Sequence, residues 1–480
     1  MFKLSWEFAV FSLEPMNKQL IFVDAVNGEI LNDIPLLLNA NTPGVAGTLY
    51  SGSQSITCDS IVSAYRLYES RATTIGNSAI INTRDLHNNT SGSVEFTNIN
   101  TNWISGSWID YSICRQALDV HWGAEKIIDY FKTIHNRNSL NNLGLRVYAY
   151  ARYGSSYNNA FWDSSLLDVN FGDGDGTTRL PFTALDIVAH EIGHGITQFT
   201  ANLSYTAAES GALNEGFNDI WAACAKNWIA PTKPIWRLAS EIFPIGSSFD
   251  CIRNMQNPKS TAASSGPNPN TYEGTNWDFT NAKMHNNSTV LSHWFYLMCQ
   301  GGSGTNDKGF AYSVTGIGIT KGEKIAYGAL SYLNSSSNFF AARNATIQAA
   351  ANLYGDISPE VVSVVNAWDA VGVLQPPRTV NLGFHYNNGP SGITAFCSGS
   401  GIGGYTLSPM STQNYQVTNY TPYTIIQTIS VGSGYHIYLD EEPRGSYVLT
   451  GEGTSSLTVT YYLYREGTTV NSLVLKFIVS

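Results

Sequence analysis

Asp186-Ile187-Val188-Ala189-His190-Glu191-Ile192-Gly193-His194-Gly195 is the stretch that decides how the rest of the chain folds. It holds no proline and is rich in apolar residues, so it predicts a helix. His190 and His194 are four residues apart, and on a helix their rings leave the same face, one turn apart. Two imidazoles at that spacing can bind one metal ion, and Glu191 stands beside the first of them. On this pattern alone, two solvated histidines on a surface helix remain an alternative.

A second helical stretch, residues 209–219, offers the third ligand that a metal site on the first stretch lacks. Glu215 and Asp219 are four residues apart and share a helix face. A catalytic zinc takes three protein ligands and keeps one position open, so we predict a Zn²⁺ cofactor held by His190, His194 and Glu215. Asp219 can accept the free ring N–H of a ligand histidine. Both carboxylates lie in a mostly apolar run, and a solvated acidic helix face is disfavoured because a buried charge needs a partner.

His-Glu-x-x-His on a helix is the pattern of zinc peptidases, and with its surroundings the chain resembles the thermolysin family of zinc metallopeptidases. The resemblance covers residues 47 to 373. Its signatures, besides the two helices, are Asn158-Asn159-Ala160-Phe161-Trp162, Gly172-Asp173-Gly174-Asp175-Gly176, Arg253, Met284-His285-Asn286-Asn287-Ser288 and Ala367-Trp368-Asp369-Ala370-Val371-Gly372-Val373. It implies an α+β fold, a thermolysin-like two-lobed zincin with a β-rich N-terminal lobe and a helical C-terminal lobe. The active site is expected in the cleft between the lobes.

Composition and this resemblance together predict three units. Residues 1–46 resemble the end of an inhibitory propeptide followed by a processing linker, with a first hairpin of the main domain as the alternative. Residues 47–374 form the predicted catalytic domain, divided into a β-rich lobe (47–185) and a helical lobe (186–374). After a proline-containing linker, the regular short strands of residues 375–480 predict a β-sandwich accessory domain. A binding or export module and a passive stability domain both fit that last unit.

The resemblance assigns chemical roles to four side chains. Glu191 is expected to act as the general base. Tyr205 and His285 are expected to stabilise the oxyanion that forms on the scissile carbonyl, and Asp219 is expected to orient a zinc ligand. Without the resemblance, Tyr205 is a packed tyrosine among 27, and His285 is a helix N-cap or a solvent-exposed residue.

The resemblance also implies how a peptide substrate binds. Asn159 and Ala160 lie on an edge strand that pairs with the substrate backbone; the Asn159 side chain holds the main chain and the Ala160 carbonyl meets the leaving amine. Arg253 is expected to bind the carbonyl just beyond the cut, with a surface ion pair as its alternative. Arg179 stands where the family has an apolar residue and predicts a narrower or more polar pocket. The pocket for the residue after the cut is otherwise expected to be apolar and lined by Phe182, Ile187 and Ile252.

Two departures from the family pattern concern the site. The family places an aspartate five residues before the predicted oxyanion-binding histidine, His285, where this chain has Thr280. Either Asp278 takes over that role, or His285 is held less firmly in its protonated form. In addition, Lys226 and Arg237 occupy positions where the family's double calcium site has carboxylates. Because a lysine can replace the charge of a cation, we expect the double Ca²⁺ site to be lost or reduced.

Composition limits the partners and the location of the protein. Charged residues make up 13% of the 480 residues, and the net charge of −10 argues against nucleic acid or an anionic membrane as a partner. The sequence contains no apolar run long enough for a transmembrane segment. The low charge content is typical of an exported protein, while Met1 to Trp6 lacks the features of a signal peptide. We therefore expect a secreted protein whose signal peptide lies outside this chain.

These patterns predict a secreted zinc metalloendopeptidase, made as a zymogen, that cleaves peptide bonds on the amino side of apolar residues. Its expected partners are protein or peptide substrates and its own propeptide, and it is expected to act as a monomer. A catalytically weak or inactive zincin serving as an adhesion protein is one alternative, and a zinc hydrolase with a non-peptide substrate is another. The complete set of ligands and base disfavours the first alternative.

Overall fold

The structure is a computed structural model in which three units follow one another along the chain. None of the helices in the described ranges combines the length and the hydropathy needed to cross a membrane. All six cysteines lie in these ranges as buried thiols. The structure describes residues 4–13, 16–35, 41–61, 63–71, 79–104, 111–206, 208–280, 283–374, 378–387, 391, 393–399, 402–408, 412–417, 424–431, 433–441, 443, 446–462 and 472–479.

The first unit is a three-stranded antiparallel sheet. Its strands are Ser5–Leu13 (β1), Met16–Asp24 (β2) and Ile30–Pro35 (β3), in the order β1-β2-β3. Alternate side chains of a strand share one face, and on one face of β1 the apolar residues Trp6, Phe8 and Val10 are exposed. A small sheet needs a covered hydrophobic face to be stable by itself, and this face of β1 is open.

The strand that follows, Asn41–Gly47 (β4), belongs to the second unit. It pairs antiparallel with Ser53–Ile61 (β5) along its whole length, and its second half pairs parallel with Asn102–Trp103. The predicted boundary at residue 46 is therefore corrected, because sheet hydrogen bonds hold these residues in the β-rich lobe. Residues 36–40, which belong to the predicted linker, fall outside the described ranges.

Two sheets form the β-rich lobe. The remaining strands are Ala64–Arg66 (β6), Tyr68–Arg71 (β7), Ala79–Asp85 (β8), Val94–Glu95 (β9), Thr97–Asn98 (β10), Asn102–Trp103 (β11), Val147–Ala151 (β12), Ala160–Asp163 (β13) and Asp168–Phe171 (β14). One sheet has the order β10-β6-β5-β4-β11, and the other has the order β13-β14-β12-β8-β7 with β9 beside β8. Strand β13 is therefore an edge strand that pairs with β14 on one side only.

Helix α1, Tyr111–His135, packs against both sheets of this lobe. Asp119 on this helix accepts hydrogen bonds from the backbone N–H groups of Leu49 and Tyr50. The helix therefore fixes the loop that follows β4 as well as filling the core of the lobe.

The helical lobe is built around one buried helix. Its helices are Leu185–Gln198 (α2), Ala208–Ile229 (α3), Met284–Asn287 (α4), Thr289–Gln300 (α5), Ile319–Ala329 (α6), Phe339–Tyr354 (α7) and Pro359–Ala370 (α8). Two small hairpins join them: Arg237–Leu238 (β15) with Arg253–Asn254 (β16), and Gly302–Thr305 (β17) with Ala311–Val314 (β18). Every residue of α2 from Leu185 to Thr197 is buried, because α1, α3 and β13 all pack against this helix. The predicted α+β architecture, with a β-rich half before a helical half, is confirmed.

The last unit consists of two facing sheets. Its strands are Arg378–Asn387 (β19), Thr394–Gly399 (β20), Ile402–Leu407 (β21), Thr412–Val417 (β22), Thr424–Ser430 (β23), Ile437–Glu441 (β24), Ser446–Thr450 (β25), Ser456–Tyr462 (β26) and Ser472–Val479 (β27). They form sheets of order β22-β19-β27-β24 and β21-β20-β23-β26-β25. Alternate residues of β27 are buried, and Gln427 of one sheet donates to the carbonyl of Gly383 in the other, at 2.9 Å. The two sheets share one core, as in the predicted β-sandwich.

Candidate metal centre and substrate cleft

The two helices that carry the predicted metal ligands pack directly against each other. Gly193 allows this approach, because a Cβ there would lie 2.9 Å from Oδ1 of Asn218 and 3.1 Å from the ring of Trp221 on α3. Real Cβ atoms essentially never come as close to another atom as the first of these distances. The missing side chain therefore lets α2 and α3 bring their inward-facing polar residues together inside an apolar lobe.

His190, His194 and Glu215 place their ligand atoms around one point. Nε2 of His194 lies 3.2 Å from Nε2 of His190 and 3.6 Å from Oε1 of Glu215. Oε2 of Glu215 lies 3.2 Å from Nε2 of His190. Ligand atoms bound at about 2.0–2.1 Å to a tetrahedral zinc lie roughly 3.3 Å from one another, so this spacing fits zinc. Within the described parts of the chain, no other group of three His, Cys, Asp or Glu side chains converges in this way.

The chemistry of these atoms also fits a cation. Nδ1 of His190 lies 3.0 Å from Oδ1 of Asp219, and Nδ1 of His194 lies 2.8 Å from Oδ1 of Asn214. Each ring thus directs its Nε2 lone pair to the centre, where the buried Oε2 of Glu215 has no hydrogen-bond donor among the described residues. Burial lowers the pKa of His190, but Asp219 and Glu215 outweigh burial and raise that pKa to about 10. The site therefore favours a positive charge, which a zinc ion supplies.

Asp219 stands behind His190 and also binds Arg253. The Arg253 guanidinium donates from Nε to Oδ2 at 2.8 Å and from Nη2 to Oδ1 at 2.6 Å, a bidentate pair with fixed geometry. Nη2 of Arg253 also lies 4.0 Å from Oε2 of Glu215. Because this arginine is buried, its alternative as a surface ion pair does not hold. One carboxylate thus fixes a ligand histidine and the arginine that faces the cleft.

Sequence reasoning missed Asn214, which orients the second histidine. Its Oδ1 faces Nδ1 of His194, and its Nδ2 donates to the carbonyl of Leu203 at 2.8 Å. It therefore offers an acceptor to Nδ1 of His194, beside Asn218, whose Nδ2 lies 2.5 Å from the same ring nitrogen. The one signal in the sequence is its position directly before Glu215 in a mostly apolar run, and that position alone does not show which way the side chain points.

Glu191 lies beside the ligand set in the cleft. Its Oε2 lies 3.9 Å from Nε2 of His194, and the backbone N–H of Trp162 lies close enough to lower the pKa of its carboxyl group. Burial raises the pKa of Glu191 to about 7, against the opposing effect of His190. A carboxyl group whose pKa lies near neutral pH can both take up and release a proton under working conditions.

Tyr205 and His285 approach the same ligand from different segments. The Tyr205 hydroxyl, in the loop between α2 and α3, lies 3.0 Å from Nε2 of His194 and donates to Oε1 of Glu215 at 2.5 Å. Nε2 of His285 lies 3.4 Å from the same Oε1, and its side chain is 59% exposed. His285 lies inside α4, whose N-cap is Lys283, so it is not a capping residue. A group bound at the centre would lie within reach of both side chains.

The carboxylate of Asp278 binds groups within the loop before α4. It accepts hydrogen bonds from the backbone N–H and the hydroxyl of Thr280, and from the backbone N–H of Lys283 at 2.7 Å. The carboxylate that the described residues bring to the His285 ring is that of Glu215. The geometry therefore favours the second expectation, a His285 ring without its own orienting aspartate.

A cleft of about 450 Å³ opens over the centre. Its apolar end includes Leu238 and Ala239, which sequence reasoning missed. Leu238 ends the two-residue strand β15 and Ala239 follows it directly, and neither position carries a motif in the sequence. Every residue predicted for the site lines this cleft, apart from Asp219 behind it: Asn159, Ala160, Phe182, Ile187, His190, Glu191, His194, Tyr205, Glu215, Ile252, Arg253 and His285.

Arg179 does not line this cleft. Its guanidinium lies 4.4 Å from the ring centroid of Phe243 and 5.8 Å from that of Phe249, and it donates to the carbonyl of Thr178 at 2.8 Å. The prediction of a narrower or more polar pocket at this position is therefore corrected. The cation stacks on two aromatic rings and leaves the pocket wall apolar.

Lys226 lies where the family pattern has a calcium ligand, and it is buried. Its Nζ lies 2.8 Å from Oδ2 of Asp186 and 3.7 Å from Oε2 of Glu241. The same oxygen of Asp186 accepts the backbone N–H of Ala239 at 2.9 Å. Arg237, the other basic substitution, pairs with an exposed carboxylate 2.8 Å away. The lysine ammonium thus pairs with Asp186 at the start of α2 and lies near a second carboxylate, which pairs with Lys233 at 2.6 Å.

Two packed helices that bring two histidines and a glutamate to one point, below a cleft between a β-rich and a helical lobe, define a zincin metallopeptidase. Residues 44–198 match the family described as thermolysin metallopeptidase, catalytic domain. Residues 201–373 match the thermolysin metallopeptidase alpha-helical domain. The chain belongs to the thermolysin family of metallopeptidases and is a zinc metalloendopeptidase.

Similar proteins agree with this assignment. Bacillolysin from Bacillus caldolyticus is 36% identical over 77% of this chain and 67% of its own length. Thermolysin from Alicyclobacillus acidocaldarius subsp. acidocaldarius has the same identity over the same shares. The transglutaminase-activating metalloprotease of Streptomyces mobaraensis is 33% identical over 69% of this chain and 42% of its own. The solved precursor of protealysin from Serratia proteamaculans shares the fold, with a TM-score of 0.51 at 24% identity over 64% of this chain and 90% of its own.

Proposed function

We propose that this metalloendopeptidase cleaves peptide bonds on the amino side of apolar residues. The observation that carries the proposal is the position of three convergent ligand atoms, 3.2–3.6 Å apart, next to the apolar end of one cleft. Burying a leucine or phenylalanine side chain there is worth about 1.5–3 kcal/mol. A charged side chain would have to lose its water at the same place. The lining of this end consists of Phe182, Ile187, Leu238, Ala239 and Ile252.

The proposed division of labour follows from the geometry. Zinc held by the three ligands supplies a Lewis acid and lowers the pKa of the water it binds to about 7. Glu191 takes a proton from the attacking water and returns it to the leaving amine. Tyr205 and His285 donate hydrogen bonds to the oxyanion. Asp219 holds His190 in the tautomer that leaves Nε2 free.

Substrate binding is proposed to use the open edge of β13. An extended peptide can add to that edge as a further strand, where the Asn159 side chain and the Ala160 carbonyl meet its backbone. Arg253 faces the cleft from the opposite wall and binds the carbonyl beyond the cut. Its bond to Asp219 keeps the guanidinium in place before substrate arrives.

We propose that Lys226 takes the place of the family's double calcium site. The contacts of its ammonium with Asp186 and Glu241 support this, because they supply the positive charge that those carboxylates need. The low proportion of charged residues supports secretion of a monomer. The solved relative with the same fold is a precursor, which supports interpreting the first unit as the end of the protein's own propeptide. The sandwich at residues 378–479 serves as a binding or export module or as a stability domain.

The variant Glu191→Gln tests the proposal. It is expected to retain one zinc per chain and to lose peptide hydrolysis by about 10²–10⁴-fold, since it keeps the shape of the side chain and removes the base. Casein digestion with and without a chelator, beside metal analysis, makes the measurement, and Glu273→Gln at an exposed position is the control. Near-wild-type turnover of Glu191→Gln would reject the assigned base. Wild-type protein that binds zinc without cleaving peptides would support the inactive zincin instead.

A further inference from the structure

Strand β13 is fastened to α2 along one face of that helix. The backbone N–H of Trp162 lies close enough to the carboxylate of Glu191 to lower the pKa of that group. A Cβ at Gly195 would lie 3.2 Å from Cη2 of the same tryptophan, so the indole lies directly over this glycine. Oε1 of Gln198 accepts the indole N–H at 2.7 Å. The three helix residues follow one another at intervals of four and three, so they form one continuous face.

Gln198 makes a second contact with the same segment. Its Nε2 donates to the backbone carbonyl of Ser164 at 3.3 Å, so one side-chain amide joins two residues that both line the cleft. Among the strands that the structure describes, β13 pairs with β14 alone. Helix α2 therefore supports β13 in place of a second neighbouring strand. The open edge of β13 stays free for a ligand.

We propose that Gln198 is a positioning residue for substrate, which holds Trp162 and the cleft-lining strand in the register that an extended peptide requires. The inference rests on the proposed function, since it assumes that substrate adds to this strand. A half-buried indole N–H seeks an acceptor, and without Gln198 the ring has to turn toward water. Strand β13 would then lose its alignment at the end farthest from Asn159. A longer peptide would pair with β13 at that end.

A positioning role for Gln198 predicts different effects on long and short peptides, whereas general destabilisation of the protein would affect both alike. A peptide that extends over several residues depends on the whole strand, whereas a blocked dipeptide depends mainly on the metal centre and the apolar pocket. Gln198→Leu is expected to raise KM and Kd for acetyl-Ala-Ala-Ala-Leu-Ala-amide by about 3- to 10-fold, the effect of losing one neutral hydrogen bond. The kcat/KM for acetyl-Ala-Leu-amide is expected to stay within about twofold of wild type, since none of its contacts include that bond.

The experiment measures KM and kcat for both peptides, and calorimetric Kd for the longer one in the non-cleaving Glu191→Gln background. Gln198→Glu keeps an acceptor for the indole and should restore most of the affinity. The Trp162→Phe variant lacks the indole N–H. Adding Gln198→Leu to it should raise the Kd for the longer peptide only slightly further. The matched control is Gln348→Leu on α7, remote from the cleft. Zinc content and melting temperature are recorded for each variant.

Equal losses for both peptides, or an unchanged Kd for the longer one, would overturn the proposed role of Gln198. Should Gln198→Leu fail to fold, Gln198→Glu and Trp162→Phe still decide the matter: an unchanged Kd in Trp162→Phe would also overturn it. Failure of the proposed function looks different, because wild-type protein would then leave both peptides intact. The calorimetric comparison of the variants would still test Gln198 in that case.

Discussion

Nζ of Lys226 lies 2.8 Å from Oδ2 of Asp186, and both side chains are buried. Asp186 belongs to the first turn of α2, four residues before His190. The same carboxylate oxygen holds the backbone of Ala239 in the wall of the cleft. One ion pair thus joins the helix that carries two metal ligands to the apolar end of the substrate cleft. This contact is the basis of the proposal that Lys226 replaces a bound calcium ion.

The first prediction follows from the burial of this pair. Lys226→Met keeps the length of the side chain and leaves the carboxylate of Asp186 without its cation. The free energy of unfolding should therefore fall by roughly 3–5 kcal/mol. The melting temperature of wild-type enzyme should not change when calcium is removed with a calcium-selective chelator in the presence of zinc. Urea unfolding and thermal melts of the zinc-loaded proteins measure both effects.

Arg237→Met provides the matched control. Arg237 pairs with Asp250 at 2.8 Å, with side chains 49% and 40% exposed, and such an exposed pair contributes about 0–1 kcal/mol. A small change in this variant beside a large one in Lys226→Met would assign the effect to the buried pair. A large rise in wild-type melting temperature on adding calcium would contradict the proposed loss of the double calcium site.

The second prediction separates the two groups that orient the ligand histidines. Asp219→Asn and Asn214→Leu should each weaken zinc binding by about 10–100-fold, because the first removes the charge behind His190 and the second removes the acceptor that faces Nδ1 of His194. Only Asp219→Asn also loosens Arg253, which pairs with the Asp219 carboxylate at 2.6 and 2.8 Å. Competition with a chromophoric chelator measures the zinc affinity. At saturating zinc, Asp219→Asn should show a raised KM and Asn214→Leu should not; equal KM values would refute this separation of roles.

Much of the fold could be predicted from periodicity and from the metal motif. The spacing of His190 and His194 requires a helix, and its apolar neighbours require that helix to be buried, which the structure shows for α2. Regular strands separated by glycine-rich turns likewise indicated the final pair of sheets. These features follow from local sequence, because helix and strand periods are properties of neighbouring residues.

Features that depend on long-range contacts could not be predicted in this way. Asn214 is important because Leu203 and His194 come to it from another segment. Arg179 stacks on Phe243, about sixty positions further along the chain, and so leaves the pocket wall. Strand β4 looked like a linker because its Asn, Pro and Gly residues favour turns, yet pairing with β5 outweighed that local preference.

The third prediction concerns acid stability and a histidine remote from the cleft. Burial lowers the pKa of His293 to about 4, while its Nδ1 donates to the carbonyl of Met255 at 2.8 Å. The unfolded chain takes up this proton below about pH 6.5, whereas the folded protein does so only near pH 4. The stability that depends on the neutral ring is therefore complete above pH 6.5 and is lost progressively as the pH falls toward 4.

His293→Asn removes this titration and keeps an amide that can donate to Met255. On acidification from pH 7 to pH 5, the free energy of unfolding should fall by roughly 2 kcal/mol less in the variant than in wild type. Urea unfolding at the two pH values measures the difference, and the histidines at the metal centre cancel because both proteins have them. Parallel pH profiles would show that this ring does not contribute to acid sensitivity.

The last prediction concerns the boundary of the peptidase unit. Arg343, fully buried, lies 3.0 Å from Oδ1 of Asp369 and donates to the carbonyl of Val373 at 3.0 Å. These contacts close the helical lobe before residue 374, and every residue that lines the cleft lies between Asn159 and His285. A chain ending at residue 374 should therefore cleave soluble peptides with a kcat/KM within about twofold of the full chain, as expected for an independent domain.

A chain ending at residue 368 would leave the Arg343 cation buried without its partner and should fail to fold. Loss of activity in the longer truncation would show that the sandwich is required by the catalytic unit, which would favour its role as a stability domain over a binding or export module.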